Sequence, residues 1–423
     1  MMTRPPECSG SGGFCSCWPD ACHQATRNMV FGKGGESATL TGGSGSVHIA
    51  DVTMFYAPSS GGVRTYLEAK RQRYRQLPDI SHTLMVPLTK GAQDTAGIVR
   101  IPSPPLPFSN GYRFPLRRKQ WVDRLKEVKP SIIEAADPYV TGWASIDAGK
   151  ALDIPVIGFY HSDLPEMLGS RFGSSVRQYL QKYVHRLYQH YERVLAPSHE
   201  MADKLTSMGV KNVHVQPLGV DSQLYNPDKR DPSIRQKLGL ADETRLLIFA
   251  GRGSHEKNLP ELLSTMRLLG SDYHLLMVGS NMPTHLPHNV TTIDHFVPQN
   301  ELARYLASAD ALVHAGTNET FGLVVLEGMA SGLPVVVSRA GALKENVNES
   351  FGMLSEPHDP VSMAHSVHAL FERDTIALGK RARQEVEQRF DWSAVVTGVL
   401  GHYKQSLGIT PPQPPDEVSI QVP

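Results

Sequence analysis

The sequence predicts an α/β protein of two doubly wound domains facing a central cleft. Three observations carry this reading. Strand-like and helix-like segments alternate from about residue 47 to 407. The helical segments run to roughly ten residues or more, the length that parallel crossovers need. The series also restarts after a short Pro-Gly hinge inside "VQPLGVD".

In the first series, "VHIADVTMFYAP" reads as a strand and "GGVRTYLEAKRQRYRQL" opens on glycine and turns helical. "HTLMVPL", "SIIEAAD" and "PVIGFYHSD" follow as strands. "SSVRQYLQKYVHRLYQHY" is a helix, because Val176, Leu180, Val184 and Leu187 fall on one stripe. "RVLAPS" closes the series as a strand. In the second, the strands "RLLIFAG", "YHLLMVG", "ALVHAG" and "LPVVVS" alternate with helices "NLPELLSTMRLL" and "NELARYLASA" and one from about Phe321 to Ala330. The last helix, "DWSAVVTGVLGHYKQSL", has Asp391 as its N-cap and crosses back to the first domain. The expected divisions are a Gly/Ser-rich disordered leader (1–46), the first domain (47–216), the second (217–390), the crossing helix (391–408) and a loose Pro-rich tail (409–423).

Composition bounds the chemistry. With 40% hydrophobic and 20% charged residues, the chain is an ordinary soluble globular sequence. No apolar run reaches the roughly 18 residues of a membrane span. The start lacks a signal-peptide pattern, which speaks against secretion. The four cysteines, Cys8, Cys15, Cys17 and Cys22, lie in the leader beside His23. A zinc site is conceivable there, but the spacing fits no usual ligand pair. Net charge is zero overall, yet residues 51–211 carry 22 Lys/Arg against 15 Asp/Glu and residues 216–423 carry 17 against 24. A basic half beside an acidic half suggests that the first meets an anionic partner; unequal solvated faces would give the same count.

The most informative stretch is "AGTNETFGLVVLEGMASGLPVVVS". It follows a strand, so its first loop lies at a carboxyl end, where doubly wound sheets bind ligands. Glu319 falls at the start of a helix and Glu327 about two turns along it. The amides near Phe321, Gly322 and Leu323 are open at the helix start and suit a phosphate, while carboxylates accept hydrogen bonds from sugar hydroxyls. One motif thus fits a sugar–diphosphate–ribose ligand. Equally, a first-turn Glu can simply serve the helix dipole. In "FAGRGSHEKNLPELL", Arg252 and Lys257 flank another strand-to-helix turn and are placed to clamp a diphosphate. The third glycine of a dinucleotide fingerprint is missing there.

"GRGSHEKN" followed by "HAGTNETFGLVVLEGMASGLPVV" resembles the nucleotide-sugar signature of the retaining GT-B glycosyltransferases of family four. The Glu-seven-residues-Glu spacing is intact as Glu319 and Glu327. "PSSGGVRTYL" is similar to that family's glycine-rich first loop (Gly61, Gly62), and "GFYHSDLP" to its active-site histidine strand (His161). The resemblance implies two Rossmann-like domains and hexosyl transfer from a UDP- or GDP-hexose to an acceptor hydroxyl with retention, without a metal. It implies that Glu319 holds the donor hexose, Glu327 the ribose, and Arg252 and Lys257 the departing diphosphate. Gly61 and Gly62 would let backbone approach phosphate. His161 would stand beside the reacting sugar, with Asp163 orienting it or the acceptor. One departure is "HAG", His314 to Gly316, where many relatives carry Pro-Ser.

The acceptor belongs to the basic first domain. "RTYLEAKRQRYRQL", "YRFPLRRKQW" and "VRQYLQKYVHRLYQHY" mix cations with Tyr and Trp, a composition that suits an anionic membrane surface, and is similar to that of bacterial diacylglycerol glycosyltransferases. The expectation is a lipid or lipid-linked acceptor and a cytoplasmic enzyme, peripheral on the inner membrane face. A soluble or polysaccharide acceptor is the alternative, with an epimerase or a non-catalytic nucleotide-sugar binder behind it. Nucleic acid is not expected.

Overall fold

The computed structural model describes residues 46–57, 61–89, 95–106 and 111–409. The cysteine cluster with His23, the leader to residue 45 and the tail from 410 lie outside the described residues. Among the described residues, thirteen strands form two sheets. The first contains β1 (Val47–Val52), β2 (Ile80–Leu88), β3 (Ile98–Pro102), β4 (Ile132–Ala135), β5 (Val156–Phe159), β6 (Arg193–Ala196) and β7 (Val213–Val215), in the order β3-β2-β1-β4-β5-β6-β7. The second contains β8 (Arg245–Ala250), β9 (Tyr273–Val278), β10 (Val290–Ile293), β11 (Ala311–His314), β12 (Val335–Ser338) and β13 (Gly352–Ser355), in the order β10-β9-β8-β11-β12-β13. Every paired strand is parallel.

Strands covered on both faces read as continuous apolar runs. β9 (YHLLMV) and β12 (VVVS) are buried at every residue. In each sheet the first strand sits at the crossover. Val47 is in register with Ile80 of β2, and Ile49 with Ile132 of β4. In the second sheet β8 lies between β9 and β11, with Leu247 opposite Ala311. The order of strands reverses at β1 and β8, so each carboxyl end opens a crevice there.

The chain returns from the second sheet to the first. Val220 N–H donates to the Phe390 carbonyl at 2.8 Å. Asp391 caps the helix Trp392–Ser406, accepting from the Ser393 amide at 2.8 Å and from the Ser222 hydroxyl at 3.0 Å. Trp392, almost wholly buried, approaches Tyr66 with ring centroids 6.1 Å apart. One turn from the end of this helix, Tyr403 enters a buried polar cluster. Lys70 Nζ donates to Tyr403 Oη (2.7 Å), Asp51 Oδ1 (2.7 Å) and Glu134 Oε1 (2.8 Å). Tyr403 donates to Glu134 Oε2, and His82 Nε2 lies 2.7 Å from Asp51 Oδ2. Lys70, Asp51 and Glu134 have no exposed side-chain surface. Buried charges persist only when each is paired and hydrogen-bonded, and here the pairing joins β1, β4, the helix Gly62–Tyr74 and the crossing helix. Burial works to raise the Asp51 carboxyl, but Lys70 and His82 outweigh it and hold it low.

Candidate active site

The helix that follows β11 begins at Leu323, two residues later than its apolar pattern suggests. Gly322 takes the left-handed conformation (φ 84°) as its N-cap, which a side chain tolerates poorly; a Cβ there would also meet Leu343 Cδ2 at 2.5 Å. The helix Leu323–Ala330 is apolar and packs Val325, Leu326 and Met329 into the core. Its open first-turn amides therefore point toward the crevice beyond β11.

Glu319 stands in the loop before that helix. Lys257, which follows β8, pairs with its Oε1, and His314, the last residue of β11, brings Nε2 within 3.3 Å of the same oxygen. Burial works to raise the Glu319 carboxyl, but Lys257 and His314 together hold it well below the usual carboxylate range. Asn258 braces the same loop, its side-chain amide donating to the Ala315 carbonyl at 2.9 Å. Glu327, two turns along, is different. Among the described residues it takes no ion pair; burial pushes it up to about 7, offset in part by the Tyr225 hydroxyl. Arg252 is exposed on the loop after β8 and takes no ion pair among the described residues. The structure thus gathers Lys257, Glu319 and His314, and leaves Arg252 free at the carboxyl end of the neighbouring strand.

The first domain meets this loop through Thr320. Its hydroxyl donates to the His161 carbonyl at 3.2 Å, and its own carbonyl accepts from the Ser198 hydroxyl at 2.9 Å. His161 is 9% exposed and stacks on Phe159, with centroids 4.0 Å apart and an interplanar angle of 6°. Neither ring nitrogen has a protein partner among the described residues. Burial, with Lys70 adding repulsion, pushes His161 down to about 3. It is therefore a neutral imidazole with one N–H and one lone pair on offer. Gly61 caps the helix Gly62–Tyr74. A Cβ on Gly62 would come within 2.9 Å of Leu323 Cδ1. The starts of the two helices, one from each sheet, thus face each other across the crevice.

Asp163 does not orient His161. Its carboxylate caps the helix Leu164–Phe172 by accepting from the Glu166 amide at 3.1 Å. It also accepts from the Tyr160 hydroxyl (3.2 Å) and from Lys204 (3.1 Å). "DLPE" is a capping sequence, with an acid at the third helical position and proline in the first turn, so this role had a sequence signal.

The basic, aromatic segments are also less free than their composition suggests. Tyr66, Lys70, Arg71 and Tyr74 of the first, Trp121 of the second and Tyr188 of the third are buried; Tyr179, 70% exposed, is the aromatic ring of the third that projects. Long amphipathic side chains supply core packing with their rings and stems. Among the described residues, no three His, Cys, Asp or Glu side chains are grouped to hold a metal ion, and no helix is long and apolar enough to cross a membrane.

Residues 230–389 match the family described as glycosyl transferases group 1, and residues 60–224 match glycosyltransferase family 4. The chain is 28% identical over 382 residues to a GDP-mannose-dependent alpha-mannosyltransferase of Mycobacterium tuberculosis, covering 86% of this chain and 97% of that protein. It is 27% identical over 373 residues to a GDP-mannose-dependent alpha-(1-6)-phosphatidylinositol dimannoside mannosyltransferase of the same species, covering 84% and 95%. In fold it is similar to sucrose-phosphate synthase from Thermosynechococcus elongatus, with a TM-score of 0.73 at 20% identity over 86% of this chain and 100% of that one.

Proposed function

The chain belongs to the group 1, family four glycosyltransferases of the GT-B fold, and from that premise we propose that it moves a hexose from a GDP- or UDP-hexose to a lipid or lipid-linked hydroxyl with retention of configuration. It is a hexosyltransferase that takes a nucleotide-sugar donor and a lipid or glycan acceptor. The observation that supports the finer reading best is the Thr320 bridge. It ties Thr320, the neighbour of the Glu319 that would hold the donor hexose, to the main-chain carbonyl of His161, whose neutral ring would flank the reacting carbon.

In this reading residues 47–216 take the acceptor and 217–390 the donor. The diphosphate lies at the start of the helix Leu323–Ala330, against Lys257 and Arg252, with Gly61 and Gly62 closing from the other side. Glu319 accepts from the hexose hydroxyls and Glu327 from the ribose. The bond from the anomeric carbon to the diphosphate oxygen breaks, the acceptor oxygen bonds to that carbon, and the acceptor's hydroxyl proton passes to the departing diphosphate oxygen. Charge gathers on the departing diphosphate, where fixed donors in a dry crevice lower the barrier by about 3–4 kcal/mol each. Lys257 must leave Glu319 to serve the diphosphate, so donor binding exchanges one anion for another at its ammonium.

GDP-mannose is the first donor to try, because relatives named for it cover most of the chain. The experiment incubates the protein with labelled GDP- and UDP-hexoses and extracted membrane lipids, then separates the products. Label in a lipid fraction supports the proposal; label only in water-soluble glycan refutes the lipid acceptor. The second reading, a soluble or polysaccharide acceptor, draws on the burial of Tyr66, Tyr74 and Trp121, which removes part of the aromatic surface a bilayer would meet. Flotation with anionic vesicles at low and high salt separates the two.

A further inference from the structure

We propose that His314 is a positioning residue for transfer: it keeps Glu319 aimed at the donor hexose while Lys257 is engaged with the diphosphate. The inference rests on the reading of Glu319 as the hexose-binding carboxylate. Two nitrogens approach one oxygen, Glu319 Oε1, and they are not equivalent: Lys257 is hydrogen-bonded to it, while His314 Nε2 lies 3.3 Å away, buried and without a hydrogen-bond partner among the described residues. Lys257 is a long, partly exposed side chain after β8, ion-paired to Glu319 on the side open to a ligand. His314 is fully buried at the end of β11. Its Nδ1 accepts the Gly316 amide at 3.0 Å, which leaves the proton of the neutral ring on Nε2, the nitrogen that faces Glu319. Phe249 packs against the ring at 5.5 Å. Burial lowers the affinity of His314 for a second proton, so it donates without adding a charge that would compete for the diphosphate.

When Lys257 turns away, a half-buried carboxylate without a partner would be costly and free to rotate. The idle Nε2–H, 3.3 Å from Oε1, is then the donor to which the carboxylate turns, and Oε2 is left for hydroxyls. The same geometry accounts for the departure from Pro-Ser at "HAG". A Cβ on residue 316 would lie 2.5 Å from His314 Cε1, so glycine there makes room for the ring.

The test compares His314→Phe, which keeps the ring and its packing but not the N–H, with His314→Gln, which restores a donor. Each is measured for kcat and KM with the hexose donor, for affinity toward the bare nucleoside diphosphate by calorimetry, and for Tm. The expected result is a roughly ten- to hundredfold fall in transfer for His314→Phe, nucleoside-diphosphate affinity within about twofold of the parent, and partial recovery in His314→Gln. Should the Phe variant not fold, His314→Met against His314→Gln makes the same contrast. Transfer within twofold of the parent in a folded donor-less variant would overturn the proposal. So would an equal loss in nucleoside-diphosphate binding, the sign of a merely collapsed loop. A parent protein that binds neither GDP- nor UDP-hexose would instead bring down the functional reading beneath it, and this inference with it.

Discussion

The two sheets treat charge in opposite ways. The first buries Asp51, Lys70, Arg71, Glu134 and Asp137, while the second buries, among its charged side chains, Glu261. In the first, Lys70, Asp51 and Glu134 satisfy one another, Arg71 donates to the Ala96 carbonyl, and Asp137 accepts from the Met54 amide and the Thr141 hydroxyl. In the second, Lys257 and Glu319 stand at the rim, partly exposed, where a ligand can separate them. A pair sealed on every side holds structure together; a pair left open on one side is available for exchange. The first half should therefore fail by unfolding and the second by losing turnover.

The strongest way to break that contrast is Lys70→Met. It leaves Asp51 and Glu134 buried without their cation, and the expected loss is about 3–5 kcal/mol of folding stability, read by denaturant titration. Full stability with lost transfer would reverse the comparison. Glu319→Ala should do the opposite, cutting transfer by a factor of about 10²–10³ with Tm nearly unchanged. A large drop in its Tm would place Glu319 among the structural ions.

A pH series sharpens the comparison within the second sheet. Glu327 titrates near 7 because of burial, so below that value it is protonated and a weaker acceptor for ribose hydroxyls. Nucleotide affinity should rise as pH increases from about 6 to 8, and Glu327→Gln should flatten the rise. The stability sign is the reverse. A carboxyl whose folded pKa is raised holds its proton better when folded, so its contribution to stability declines as pH climbs from about 4.5 to 7. Glu319, held low by Lys257 and His314, contributes stability that is fully present above about pH 5.5 and declines as pH falls below it, the opposite sign. The smallest effect is expected at the seam between the halves: Asp391→Ala removes a helix cap for about 1 kcal/mol, with kcat unaltered.

Much of the donor side was legible because its chemistry is written in short, contiguous motifs. "HEKN" and "TNETFGLVVLE" place Lys257, Glu319 and Glu327 by local spacing alone, and the parallel sheets follow from alternating apolar segments. The start of the helix at Leu323 was not legible, since the left-handed turn at Gly322 is set by the approach of Leu343 from elsewhere in the chain. Nor was the ion cluster, whose members come from Asp51, Lys70, Glu134 and Tyr403. Two faint signals existed: an acid inside the apolar strand "SIIEAAD", and Tyr66, Lys70 and Tyr74 spaced four apart on one helix stripe. Composition misled at the same helix, where cations and tyrosines that suggested a surface turned inward.

The hydrogen bond from Lys70 to Tyr403 spans 333 positions, and it gives synthesis an order. A ribosome delivers Lys70 long before Tyr403. Until then the nascent first half carries an unfinished seam, its carboxylates one donor short. Completion of the first sheet's buried cluster thus waits on the crossing helix, and a chain released before residue 403 leaves that cluster unsealed.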